Sequence, residues 1–328
     1  MTAGLVTRLL PADRESVAEA GRTLNAGGLV AFPTETVYGL GADATNGPAI
    51  ARLYAAKGRP AFNPLIAHVA DVAGARALAS FDAAAERLAT AFWPGPLTLV
   101  LPKRPDCTVA DLATAGLDSI AVRMPDHPVA LDIVRALGRP VVAPSANRSG
   151  HVSPTTAAHV MADLRGLIDL ILDGGPATVG VESTIVACLD RPALLRPGGL
   201  PRADIERVLG MPLAEPPPGA IELDAPLAPG MLASHYAPKA QLRLDAENVR
   251  PGEALLAFGV VPPGAERASR VLNLSVTADL VEAAANLFSH LRALDAINSP
   301  AIAVMKIPNE GLGEAINDRL ARAAAPRG

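Results

Sequence analysis

Residues 29–41 read Leu-Val-Ala-Phe-Pro-Thr-Glu-Thr-Val-Tyr-Gly-Leu-Gly. The apolar run 29–32 comes after the helix-stopping pair Gly27-Gly28 and predicts a short buried strand. Residues 33–41 form a more polar segment: hydroxyls, a carboxylate and glycines directly after a strand suit a binding loop. Gly39, Gly41 and Ala44 imitate a dinucleotide fingerprint, but the polar run precedes the glycines. The acidic ribose partner is also missing, since its expected position falls near Arg59.

The same grammar recurs on both sides. Helical spacing over residues 14–26 precedes the first strand, and a helix over 46–56 delivers Lys57-Gly58-Arg59-Pro60, followed by Asn63 and by His68 in the strand 65–69. Two cations around a glycine at a helix end suit an anion, although Lys and Arg in a last turn also answer the helix dipole without any ligand. Residues 71–91 hold one or two helices. The turn Phe92-Trp93-Pro94-Gly95-Pro96, with Trp93 read as core packing, leads to a strand over 97–101. Strand 119–125 carries Ser119 and Arg123, and a helix spans 127–137. Strand 141–143 ends at Ala143 and opens into Pro144-Ser145-Ala146-Asn147-Arg148-Ser149-Gly150, then Ser153. A helix over 156–163, strands over 167–173, 182–186 and 193–198, the last bringing Arg196, and a helix over 205–209 complete the first unit. Buried strands that repeatedly stop at a cation, hydroxyl or amide point to one shared site.

Residues 1–209 thus read as the catalytic domain and the proline-rich stretch 210–239 as a linker or lid. Residues 240–328 read as a small Rossmann-like α/β domain, with strands over 241–244, 254–260 and 301–307 and helices over 279–295 and 312–321. The small domain shows no polar cluster that reads as catalytic.

Composition narrows the function. The 328 residues are 50% hydrophobic but only 3% aromatic, with a formal net charge of −4. An acidic balance argues against coating nucleic acid, and scarce aromatics remove stacking platforms. Cys107 and Cys188 form no CxxC pair, and the N-terminal stretch lacks a basic start followed by an apolar run, so a cytoplasmic protein is expected. No P-loop, HExxH or G-x-S-x-G occurs. The remaining set of cations, hydroxyls and amides suits a polyanion plus a small polar molecule, handled by positioning and charge stabilisation.

Nine segments in order carry a family resemblance: PTETVYGLG (33–41), KGR (57–59), NPL (63–65) with His68, PGPLT (94–98), AVRMP (121–125), APSANRSG (143–150), ESTIV (182–186), LRPG (195–198) and HYAP (235–238). The chain resembles the L-threonylcarbamoyladenylate synthases in their two-domain form. The resemblance implies an open, twisted mixed α/β sheet of the YrdC-like type with a concave basic cavity. It implies the reaction of L-threonine, bicarbonate and ATP to threonylcarbamoyl-AMP and pyrophosphate, for the threonylcarbamoyladenosine modification of tRNA. Carried over by position, Thr36, His68, Arg123, Ala143 and Ser183 hold L-threonine. Arg59, Asn63, Ser119, Ser145, Ser153, Arg196 and Tyr236 hold ATP. Lys57 and Arg59 are the catalytic pair, and Asn147 and Arg148 complete the cavity. Mg2+ accompanies ATP without an assigned protein ligand, and the product passes to a tRNA threonylcarbamoyltransferase. Two departures stand: Ala187-Cys188 comes after ESTIV where relatives often carry an acidic residue, and the small domain matches by size and pattern alone. Two rivals remain open at this point: a module binding RNA on its concave face, and a carbamoyl-transfer enzyme using carbamoyl phosphate.

Overall fold

The computed structural model describes residues 5–216, 226–228 and 236–326. The first unit runs β1 (Arg8–Pro11), α1 (Arg14–Asn25), β2 (Val30–Phe32), β3 (Gly39–Asp43), α2 (Gly47–Lys57), β4 (Ile66–His68), α3 (Val72–Leu78), α4 (Ala83–Phe92) and β5 (Leu97–Pro102). It continues α5 (Asp111–Thr114), β6 (Ser119–Arg123), α6 (Pro128–Leu137), β7 (Val141–Val142), α7 (Ala157–Leu164), β8 (Leu170–Asp173), β9 (Thr184–Ala187), β10 (Ala193–Arg196) and α8 (Arg202–Leu209). The second unit is β11 (Gln241–Arg243), β12 (Ala254–Ala257), β13 (Val271–Asn273), α9 (Leu280–Asp295), β14 (Ala301–Val304) and α10 (Leu312–Ala324).

The large sheet has ten strands in the order β1-β8-β2-β3-β7-β4-β6-β5-β9-β10, with parallel and antiparallel pairs mixed. The small sheet, β11-β14-β12-β13, is parallel throughout. This is the mixed α/β architecture with a small second α/β domain that the sequence implies.

Strand alternation decides what each face can do, because successive side chains point to opposite sides. In β6, Ile120 and Val122 pack with the helices of the main core, while Ala121 belongs to a separate cluster on the other side. Ser119 and Arg123 share parity with Ala121. In β4, Ala67 faces the main core and Ile66 the other cluster, so His68 falls on the side of Ile66. Leu227 and Ala228 of the interdomain stretch pack on this second cluster. Polar residues are thereby collected on the face that the main helical layer leaves uncovered.

Four elements, β1, β3, α5 and β13, were hidden in the sequence. Residues 33–38 form the loop expected there, but the end of that stretch turns back as β3 (Gly39–Asp43), antiparallel to β2 with Phe32 opposite Gly39 and Val30 opposite Gly41. Glycine is depleted in strands, which disguised it. Here the missing side chain is required: a Cβ on Gly41 would lie 2.7 Å from the Phe32 ring. The edge strands β1 and β13, also missed, have exposed or intermediate residues and so lack a buried strand's apolar run.

The small domain packs directly on the first unit. Its core, built on α9 and α10, takes in Val37, Val152 and Val181 of the first unit. Arg292 of α9 donates to Asp163 at 2.7 Å, and Arg202 donates to Glu314 of α10 at 2.6 Å.

Gly198, in the turn after β10, makes a close backbone approach beside the polar face. A Cβ there would meet the backbone of Glu182, Ser183 and Thr184 at 2.4 Å. Backbone cannot swing aside as a side chain can, so Gly198→Ala should cost about 1–3 kcal/mol, read as a lower urea midpoint with an unchanged slope.

Candidate active site

The carboxyl end of α2 shows how one residue pair turns a helix stop into a binding feature. Gly58 adopts a left-handed conformation (φ 59°), and the amide of Arg59 donates back to the carbonyl of Tyr54 at 3.0 Å. The chain therefore leaves the helix sharply, and the two cations part company. Arg59 reaches the polar face, where its guanidinium donates to the carbonyls of Asn63 (3.3 Å) and Pro64 (3.0 Å). Lys57 stays in the helical layer, and its Nζ donates to the carbonyls of Ser145 and Asn147, both at 2.5 Å.

One cavity opens on the polar face. Thr36, Val37, Arg59, Ile66, His68, Arg123, Ala143, Pro144, Ser145, Glu182, Ser183, Arg196 and Tyr236 line it. Every residue expected to hold threonine is among them, as are four of those expected to hold ATP: Arg59, Ser145, Arg196 and Tyr236.

The remaining expected residues lie around the cavity instead of on its wall. Lys57 braces the Ser145 loop from behind. Asn63 is buried and supplies the carbonyl that receives Arg59 and the Tyr54 hydroxyl. Ser119 sits on the cavity face of β6, four residues before Arg123, and the β4–β6 register sets it level with Pro64. Ser153 is buried and donates to Glu182 at 2.5 Å. Asn147 holds the turn by donating to the carbonyls of Arg148 and His151, and Arg148 is exposed.

The three cavity arginines are held differently. Arg123 donates to Glu35 at 2.5 Å and to the Gly95 carbonyl at 3.3 Å. Arg196 donates to the Ser183 carbonyl at 2.9 Å and to the Ser183 hydroxyl at 3.3 Å, and that hydroxyl bonds Thr98. Arg59 meets carbonyls. Burial lowers Arg59 to about 10, and burial likewise lowers Arg196. A buried guanidinium depressed in this way gains when an anion enters beside it. Burial, reinforced by Arg123, pushes His68 down to about 3, so its ring is neutral over the working range.

Glu182 is the carboxylate of the cavity wall. Burial alone would raise its pKa, but Arg319 and then Arg196 outweigh that effect, aided by the Ser153 hydroxyl, and hold it at about 2. Arg319 lies on α10 and donates to Glu182 at 2.8 Å. Sequence reading assigned no role to Glu182, Glu35 or Arg319. Arg319 did leave a trace: it falls on the apolar stripe of Ala315, Ile316, Leu320 and Ala323, where a charge needs a partner.

His235 of the HYAP segment and Met231 lie outside the described residues. Among the described residues no group of three or more His, Cys, Asp or Glu is placed to hold a metal ion, and no helix is long and apolar enough to cross a membrane.

Comparison with known proteins agrees over almost the whole chain. The Sua5/YciO/YrdC family profile, described as "Telomere recombination", matches residues 22–198. A second, described as "Threonylcarbamoyl-AMP synthase, C-terminal domain", matches residues 200–325, which gives the small domain the family match its pattern alone did not supply. The threonylcarbamoyl-AMP synthase of Bacillus subtilis is 42% identical over 98% of this chain and 96% of its own length. That of Pyrococcus abyssi is 44% identical over 92% of each. The crystal structure of P. abyssi Sua5 complexed with L-threonine superimposes with a TM-score of 0.87 at 39% identity, covering 98% of both chains.

Glu182 yields a pH test. Its pKa is depressed from 4.5 to about 2, so its ionised form adds stability above pH 4.5 that is lost as the pH falls towards 2. Glu182→Gln should flatten that acid limb, removing on the order of 3 kcal/mol of pH-dependent stability in urea titrations across the window.

Proposed function

We infer that the chain, which belongs to the Sua5/YciO/YrdC family in its two-domain form, is a threonylcarbamoyl-AMP synthase that converts L-threonine, bicarbonate and ATP to L-threonylcarbamoyladenylate, pyrophosphate and water. The observation that carries the chemistry is the cavity itself: buried Arg59, Arg123 and Arg196 converge with Thr36, His68 and Ser183 on one wall. It is furnished to hold anions and a small hydroxylated zwitterion.

The reaction asks for such a site. Threonine's amine attacks the bicarbonate carbon, loses its proton and expels water, which leaves a carbamate. A carbamate oxygen then attacks the α-phosphorus of ATP, the bond to the β-phosphate oxygen breaks, and pyrophosphate departs. The attacking oxygen is already ionised, so no strong base is needed, and nucleotidyl transfer rests on alignment and charge stabilisation.

Position suggests the roles. Arg123, aimed by Glu35, takes the threonine carboxylate in a forked pair. Thr36, Ser183 and the Ala143 backbone surround the amino acid, and neutral His68 exchanges hydrogen bonds without adding charge. Arg59 and Arg196 take the phosphates, with Ser145 beside them and Tyr236 closing the nucleotide end. Asn63, Ser119 and Ser153 support ATP from the rim, with Asn147 and Arg148 beyond them. Lys57 serves turnover by fixing the Ser145 loop through its two carbonyl contacts. Magnesium enters as part of the nucleotide substrate, on its phosphate oxygens, and the product is consumed by a tRNA threonylcarbamoyltransferase in the cytoplasm.

The test is pyrophosphate release from ATP and bicarbonate, with L-threonine and with L-serine as control. Threonine-dependent release is expected. Release that ignores threonine, or tight salt-sensitive RNA binding without release, would overturn the reading. Arg59→Ala should lower kcat/KM by about 10²–10³ with the fold intact by circular dichroism. Lys57→Met should lower turnover and also destabilise, because it strands the carbonyls of Ser145 and Asn147.

A further inference from the structure

A side chain of the small domain reaches Glu182 of the cavity wall. Arg319 of α10 is fully buried, at 0% exposure. Its Nε donates to Glu182 at 2.8 Å and its Nη2 to the carbonyl of Pro197 at 3.0 Å, both in the first unit. Its Nη1 donates to Asp318 at 2.5 Å. The guanidinium carbon also lies 5.2 Å from the centroid of the Tyr236 ring, on which Phe288 of α9 stacks at 5.6 Å with a 23° tilt.

Tyr236 requires such a grip. Its φ of 63° is in the left-handed region, which costs a bulky residue about 1–3 kcal/mol unless the surroundings impose it. Its surroundings include the Arg319 cation near the ring, the stacked Phe288, and the bond from the Ala237 amide to the Gly150 carbonyl at 2.9 Å. Only a planar, multiply donating guanidinium can meet a carboxylate, a carbonyl and a ring together.

We propose that Arg319 is a positioning residue through which the small domain holds Tyr236 at the nucleotide end of the cavity and keeps Glu182 matched in charge. The proposal rests on the reading of that cavity as the ATP site. If the binding-competent state is the one with Tyr236 in place, loosening it lowers the competent fraction, which raises the apparent KM for ATP while saturating ATP restores kcat. A purely structural arginine would lower stability without that split.

The experiment compares Arg319→Lys, Arg319→Met, Glu182→Gln and the double variant Arg319→Met/Glu182→Gln in the full chain. The double variant leaves no unmatched buried carboxylate and so serves if Arg319→Met does not fold. Arg319→Met against wild type, or the double variant against Glu182→Gln, should raise the KM for ATP about tenfold or more with kcat nearly unchanged, and should speed hydrogen exchange at the Ala237 amide. Arg319→Lys should fall between. An unchanged KM for ATP together with unchanged Ala237 exchange would overturn the proposal, however far the melting temperature drops. If the wild type itself gives no threonine-dependent pyrophosphate release, the functional reading fails, and Ala237 exchange alone decides whether Arg319 holds Tyr236.

Discussion

A guanidinium removed from water must be met by oxygen atoms, and four of them are buried around one cavity: Arg59, Arg123, Arg196 and Arg319. Much of the local architecture answers that demand. The carbonyls of Asn63 and Pro64 turn inward to Arg59, the Ser183 carbonyl to Arg196, Gly95 and Glu35 to Arg123, and Glu182 and Pro197 to Arg319. Each of these acceptors sits in a loop that leads into or out of a strand. Meeting the charges thus fixes the loops that form the wall, and the close approach at Gly198 lets the Arg196 turn press against the Glu182–Thr184 backbone.

The same constraint supplies the chemistry. Carbonyl dipoles satisfy a guanidinium's hydrogen bonds but leave its charge largely unbalanced. Burial depresses Arg59 to about 10, so a phosphate or carboxylate beside it would favour its charged form. Where a carboxylate is present, as Glu35 beside Arg123 and Glu182 beside Arg319, the arginine is oriented by it. The cavity thus sets Arg59, met by carbonyl dipoles, beside arginines that have a carboxylate partner.

The sequence made the architecture legible wherever a buried strand ran into a polar stop. The strands ending at Phe32, His68, Arg123, Val142 and Arg196 were visible as apolar runs, and residues at or just beyond their ends proved to line the cavity. The glycine-rich strand over Gly39–Asp43 was not, because its fitness comes from contact with Phe32 and Ala143 rather than from its own propensity. Lys57 and Arg59 looked alike in the chain. A left-handed Gly58 between them sends one behind the Ser145 loop and the other into the cavity, a divergence that spacing alone does not encode. Arg319 lay furthest from view: its partner Glu182 is remote in sequence, and only docking of the second domain brings the two together.

The central claim is that the cavity joins threonine, bicarbonate and ATP in one product. The most direct measurement is mass spectrometry of the nucleotides formed from 13C-bicarbonate, L-threonine and ATP by the full chain. The expected product is an adenylate that carries both threonine and the labelled carbon, and that disappears with Arg59→Ala. An unlabelled adenylate, or AMP formed equally without threonine, would contradict the claim.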